Sequence, residues 1–165
     1  MNKDSNQSNT AKLFQPQGRV KVIQGSIVAP QNAGLRFVLN VANMVGKAEG
    51  PMYQLFEKKW PTVKREVRGW FTTRDGKYKL GAVHTLAVQS DTWVVSLLCQ
   101  DEELSTSDDA LRVCLKEVCK SAKYEKATVH VSNKLVEALP ALQELLTEEL
   151  VTQGVSVNFY EEPEE

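Results

Sequence analysis

Two asparagines, Asn40 and Asn43, stand three apart at the end of an apolar run in VLNVANMVGKAEGPMYQLF (residues 38–56), and Gly46, Gly50 and Pro51 follow them. An amide both donates and accepts, so Asn43 suits a pair of sugar hydroxyls or a water held beside a phosphate. Gly46 and Gly50 would let backbone approach an anion closely, and the free amides of a helix starting at Pro51 would complement its charge. The plainer reading is that the asparagines cap a turn which the glycines permit. On spacing alone the plainer reading is the stronger, because an isolated glycine-bearing turn is a weak signal.

Other reactive side chains are sparse. Cys99, Cys114 and Cys119 are an odd number without a CxxC pair, and His84 and His130 lie far apart within apolar runs. No disulfide framework, metal site or cofactor is implied. Cys99 ends an apolar strand and Cys114 falls on a helix face, with no neighbouring cation to activate either thiol. From Glu57 to Lys79, eight Lys or Arg face three acids, with Trp60, Trp70, Phe71 and Tyr78 among them. Basic residues interleaved with aromatics can contact nucleic acid. The alternative is a solvated helix pair whose aromatics enter the core.

The elements that would position these residues follow from periodicity. RVKVIQGSIV (19–28) alternates as a half-buried strand does, while LRFVLNVAN (35–43) is nearly continuous apolar, as a strand covered on both faces would be. Pro51 and Pro61 each open a short helix. KLGAVHTLAV (79–88) and TWVVSLLC (92–99) read as adjacent strands. Residues 107–122 place Leu111, Cys114, Leu115, Val118 and Ala122 on one helical face, with Ser107 as N-cap. A strand at 127–132, a helix at 135–151 interrupted near Pro140, and a strand at 155–160 complete the series.

This alternation predicts an α/β fold: a three-layer, mixed and largely parallel sheet with helices on both faces. Ligands of such sheets sit where strand ends lead into helices, and the Asn43 stretch occupies such a place. The 165 residues, 42% hydrophobic and 25% charged with net charge -1, suit one domain and name no partner by charge. Residues 1–18 read as a flexible polar tail, 19–161 as the domain, and 162–165 as an exposed acidic tail. No segment approaches the roughly 20 apolar residues that span a bilayer, and the start carries no signal core, so the expected location is cytoplasmic, away from membranes.

With order and site location in hand, the chain resembles the macro domain, an ADP-ribose-binding module, from about residue 20 to 160. That family's first strand ends in Gly-Asp-Ile or Gly-Asp-Leu, here Gly25, Ser26, Ile27. Its second leads to Asn-Ala-Ala-Asn, here Asn40, Val41, Ala42, Asn43, and then to glycines opening a helix, here Glu49, Gly50, Pro51, Met52. Leu55, Phe56, Lys58, Lys59 and Trp60, then Gly81, then Leu97, Leu98, Cys99 and Gln100, look most like the branch containing terminal ADP-ribose protein glycohydrolases and phage or bacterial ADP-ribose phosphatase-like proteins.

The resemblance implies that Ser26 and Ile27 lie by the adenine and that Gly46, Gly50 and Met52 line the distal ribose and phosphate channel. Asn40 and Asn43 would belong to the ribose loop, with Asn43 orienting substrate in any hydrolysis, and Ser132, Asn133 and Lys134 would form the second phosphate loop. Ser26 stands where the family has its adenine-reading Asp, and Pro51 removes an amide donor. The glycohydrolase lysine and aspartate have no counterpart near Gln100 or residues 132–135, which argues against that covalent mechanism. The expected function is binding of ADP-ribose or a related NAD-derived nucleotide, with hydrolysis of its 1''-phosphate or of protein-linked ADP-ribose as the reaction the family suggests. An ADP-ribosylated protein is then a partner to consider. The alternative is a non-catalytic module that binds nucleic acid or a protein through residues 57–79.

Overall fold

Residues 17–73 and 76–164 are described by a computed structural model; residues 1–16 of the polar tail lie outside the described residues. The strands are β1 (Val20–Gln24), β2 (Arg36–Asn43), β3 (Val83–Gln89), β4 (Thr92–Gln100), β5 (Thr128–Ser132) and β6 (Val157–Glu161). The helices are α1 (Pro51–Lys59), α2 (Thr62–Thr72), α3 (Asp108–Glu125), α4 (Asn133–Ala138) and α5 (Leu142–Glu149). One sheet runs in the order β1-β6-β5-β2-β4-β3. All neighbours are parallel except β3, which pairs antiparallel with β4 at one edge.

Helices cover both faces. Phe37 of β2 and Val95 of β4 line a small cavity with Glu117, Val118 and Ser121 of α3. Asn40, three residues beyond Phe37 and so on the opposite face, bonds through its amide to Tyr53 of α1. This is why β2 reads as a continuous apolar run: Phe37, Val38, Leu39 and Ala42 are all buried. Three-layer packing is thus what the alternation of periods predicts.

Local signals act where expected. The Ser107 hydroxyl accepts from the Ala110 N–H at 3.1 Å and caps α3, with Asp108 and Asp109 in its first turn. Pro140 splits the C-terminal helix in two, since it lacks an N–H and forces Leu139 out of helical geometry, to φ -126° and ψ 84°. Strand β3 starts later than its apolar run, because Gly81 at φ +99° and the Ala82 to Lys79 hydrogen bond make residues 79–82 a turn. At the amino end, the Gly18 N–H donates to Val151 O at 2.9 Å, so packed chain begins one residue before the drawn boundary. It also extends past Glu161, with consequences for the site.

Candidate functional site at the strand ends

Because β1, β2, β4, β5 and β6 are parallel, their carboxyl ends share one rim of the sheet. Residues 25–27, 43–50, 132–134 and 162–164 gather there. Asn43 is nearly buried, and its Oδ1 accepts from the Val45 N–H at 3.2 Å and the Lys47 N–H at 3.0 Å. Its Nδ2 donates to Lys47 O at 2.8 Å. Both lone pairs are engaged and one Nδ2 proton is left over. The amide therefore builds the loop, as the turn reading has it, and offers a ligand at most one N–H.

Asn40 lies in the core. Its Nδ2 donates to Ser96 Oγ at 2.9 Å and to Tyr53 Oη at 3.2 Å, and no part of the residue reaches solvent. Met52 is buried as well, so it fills the space under α1 and does not line a channel. Both departures have one cause: with the period of a strand, Asn40 points to the α1 face of the sheet, and Met52 sits on the inward face of that helix. Gly46 has φ +68°, and a Cβ on it would lie 2.2 Å from Phe71 Cδ2. Gly50 has φ +111° with nothing within 4 Å of a Cβ, so there the backbone angle alone requires glycine.

On the other side of the rim, the Ser26 hydroxyl accepts from its own turn at the Val28 N–H. Ile27 is fully buried, but its N–H donates at 2.9 Å to Oε2 of Glu162. The same oxygen accepts from the Ser132 hydroxyl, also at 2.9 Å, and the Glu162 N–H donates to Asn133 Oδ1 at 3.3 Å. Ser132 in turn caps α4 by accepting from the Lys134 N–H. Glu162 is thus a member of the site, although sequence reasoning leaves it in an exposed tail. The signal for it is slight: Pro163 holds the preceding residue extended, which carries Glu162 straight on from β6 across the neighbouring strand ends. Its second oxygen, Oε1, is buried with no hydrogen-bond partner in the structure.

An open cavity of about 550 Å³ adjoins this cluster, lined by Pro51, Gln54, Leu55, Lys58, Lys134, Glu162, Pro163 and Glu164. It lies between α1, the loop after β5 and the chain beyond β6. Asn43 and Gly50 do not line it. Met52 and Tyr53 close the sheet side of α1, and the opening is on its outer flank.

The remaining sequence candidates are placed differently. In the basic stretch, Trp60 and Tyr78 are buried, and Trp70 packs edge-on against Tyr78 with ring centroids 4.7 Å apart. The aromatics face inward, and Lys64, Arg65 and Arg68 are left around a shallow exposed hollow beside Pro61. All three cysteines are buried and unbridged; burial pushes the Cys114 thiol up to about 12 and raises those of Cys99 and Cys119. His130 is buried between Thr128 Oγ1, at 2.7 Å, and Tyr160 Oη, at 2.8 Å, and desolvation, helped by Arg36, lowers its pKa to about 3. Among the described residues no cluster of His, Cys, Asp and Glu could hold a metal ion, and no helix is long and apolar enough to cross a membrane.

No protein-family model matches the chain, and no curated protein sequence does either. Solved structures do. A Bacteroides thetaiotaomicron protein is 25% identical with a TM-score of 0.78, over 86% of this chain and 99% of that one. A macrodomain protein from Streptomyces coelicolor is 21% identical with a TM-score of 0.76, over 88% of this chain and 100% of that one. DarTG from Thermosipho africanus, solved in complex with ADP-ribose, is 11% identical with a TM-score of 0.66, over 86% of this chain and 41% of that one.

Proposed function

The chain has the macrodomain fold, and we propose that it binds ADP-ribose, or a related NAD-derived nucleotide, at the strand-end rim. The observation that carries this reading is the cavity of about 550 Å³ between α1, the loop after β5 and the chain beyond β6. Its volume is within the range of small-molecule sites, and it sits where open α/β sheets take their ligands. Lys58 and Lys134 on its walls suit a diphosphate, while Leu55 and Pro51 supply apolar surface for a base or ribose face. That DarTG, matched by this chain over 41% of its length, was solved in complex with ADP-ribose supports the choice of ligand class.

Binding without turnover is the form of this reading that the geometry favours. Hydrolysis of a 1''-phosphate or of protein-linked ADP-ribose needs a group that holds and activates water. Asn43, the residue implied for that task, has its oxygen engaged by Val45 and Lys47. The basic-stretch alternative loses its stacking surface, since Trp60 and Tyr78 face the core.

Isothermal titration with ADP-ribose tests the proposal. A saturable heat with one site per chain is expected, and it should weaken when Lys134 is replaced by Ala. Absence of heat at millimolar ADP-ribose would sink the reading.

A further inference from the structure

On the rim, two donors from separate loops are engaged by the protein's own carboxylate. Ile27 N–H and Ser132 Oγ–H come from two separate loops, those after β1 and β5, and converge on a single oxygen, Glu162 Oε2, at 2.9 Å each. Two donors aimed at one point form a seat for an acceptor, and a charged acceptor is held about twice as strongly as a neutral one. The Ser132 hydroxyl has one long alternative acceptor, Asn133 Oδ1 at 3.5 Å, and because Ile27 is buried and Ser132 fully enclosed neither group can turn to water. The occupant is unevenly satisfied, since Oε2 takes both bonds while Oε1 is buried with none. A buried carboxylate oxygen without a donor is costly. The clasp is therefore held by one favourable half and opposed by the other, which is the energetic profile of a displaceable contact.

Ile27 and Ser132 lie in the two loops that the family resemblance already assigns to the nucleotide, and from their contact with the chain's own carboxylate we infer that Glu162 is a built-in competitor, which occupies their two donors and must leave before the ligand can reach them. The inference rests on the nucleotide-binding reading above. Glu162, Pro163 and Glu164 also form one wall of the cavity. Swinging that wall aside joins the cavity to the seat, so that a single movement enlarges the site and exposes its two best donors. Among the described residues, one hydrogen bond of the backbone, from the Glu162 N–H to Asn133 Oδ1, is lost with it. Strand β6 ends at Glu161 and keeps its pairing. The apparent affinity of the wild type is then reduced by the fraction of molecules in which the wall is open.

The test is titration of ADP-ribose into the wild type, Glu162→Gln, Glu162→Ala and a chain ending at Glu161, together with amide hydrogen exchange on the wild type. Affinity should rise in the order wild type, Gln, Ala, because the amide of Gln still accepts from the seat but without charge. The Ala variant should bind about tenfold more tightly if one wild-type molecule in about ten is open. The shortened chain should behave like the Ala variant, which guards against a folding defect peculiar to one substitution. In the wild type, ADP-ribose should speed exchange at the Glu162 N–H while keeping the Ile27 N–H protected. If all four proteins bind equally, or if Glu162 stays protected when ADP-ribose is bound, the competitor role is overturned and nucleotide binding stands. If none binds at millimolar ligand, nucleotide binding itself falls, and this inference with it.

Discussion

Gly46 and Gly50 flank the same loop, yet different forces hold them as glycine. At Gly46 a methyl group would press into the Phe71 ring, and Phe71 has little room to yield because it packs against Tyr78 at 5.5 Å. Gly46→Ala should therefore cost about 2 kcal/mol or more, from overpacking added to a positive φ. At Gly50 space is open and only the backbone angle objects, so Gly50→Ala should cost about 1–2 kcal/mol. Urea unfolding of the two variants should rank them in that order. The sequence shows two glycines in a turn and cannot separate these causes, because Phe71 lies 25 positions away and reaches Gly46 only through the packing of α2.

His130 gives a second prediction at this scale. Its folded pKa, about 3, is below the ordinary value near 6.5, so between those limits the unfolded chain binds a proton that the folded chain does not. The stability contributed by a neutral His130 is complete above about pH 6.5 and is lost as pH falls towards 3, at up to about 1.4 kcal/mol per pH unit. Half-buried His84, also lowered by desolvation, acts in the same direction. Chemical denaturation at pH 7 and pH 4.5 should show a smaller loss for His130→Gln than for the wild type.

Among the elements, those with strong local signals were readable and those defined by partners were not. Helix α3 has its N-cap at Ser107, an unbroken apolar face and Lys126 in the left-handed conformation that ends it. Ser107→Ala should lower stability by about 1 kcal/mol, measured by thermal or urea unfolding, because it leaves the Ala110 N–H without its acceptor. Strand β2 announced its central position through its lack of alternation. The first strand did not show where it would stop: its apolar pattern runs on to Val28, but pairing with β6 ends at Gln24, and the Ala29 to Ser26 hydrogen bond turns the chain away. Similarly, the asparagine pair of β2 was visible while the division of labour within it was not. Asn40 joins Tyr53 and Ser96 in the interior and Asn43 ties its own loop, and that difference depends on α1 settling over one face of the sheet. Glu162 was the least legible residue of the site, since an acidic C-terminal run looks solvated until Ile27 and Ser132 are brought beneath it.

At the scale of the whole molecule, the parallel sheet separates its work between two rims. One rim carries the loops after β1, β2, β5 and β6, the cavity and the Glu162 clasp. The other carries the strand starts, where Arg36 ties Asp91 at 3.0 Å and the Asn32 carbonyl at 2.8 Å, and its contacts serve architecture. In a chain of net charge -1 the cavity sets Lys58 and Lys134 beside Glu162 and Glu164, and the partner it suits is read from that arrangement and not from the total charge. The buried interior lies between these rims as one continuous cluster that includes residues from all six strands except β1 and β3, whose partly buried Ile23, Val83 and Leu86 pack onto it.

Gly18 is pinned where a Cβ would meet Val155 O at 2.0 Å, on the rim where β1 begins, while the polypeptide leaves β6 directly into the site. The two ends are therefore not equivalent as attachment points. A purification handle or surface tether at the amino end joins the described chain at Gly18, on the rim away from the cavity, whereas one joined after Glu164 pulls on the segment that walls it, so ligand measurements belong on protein handled from its amino end.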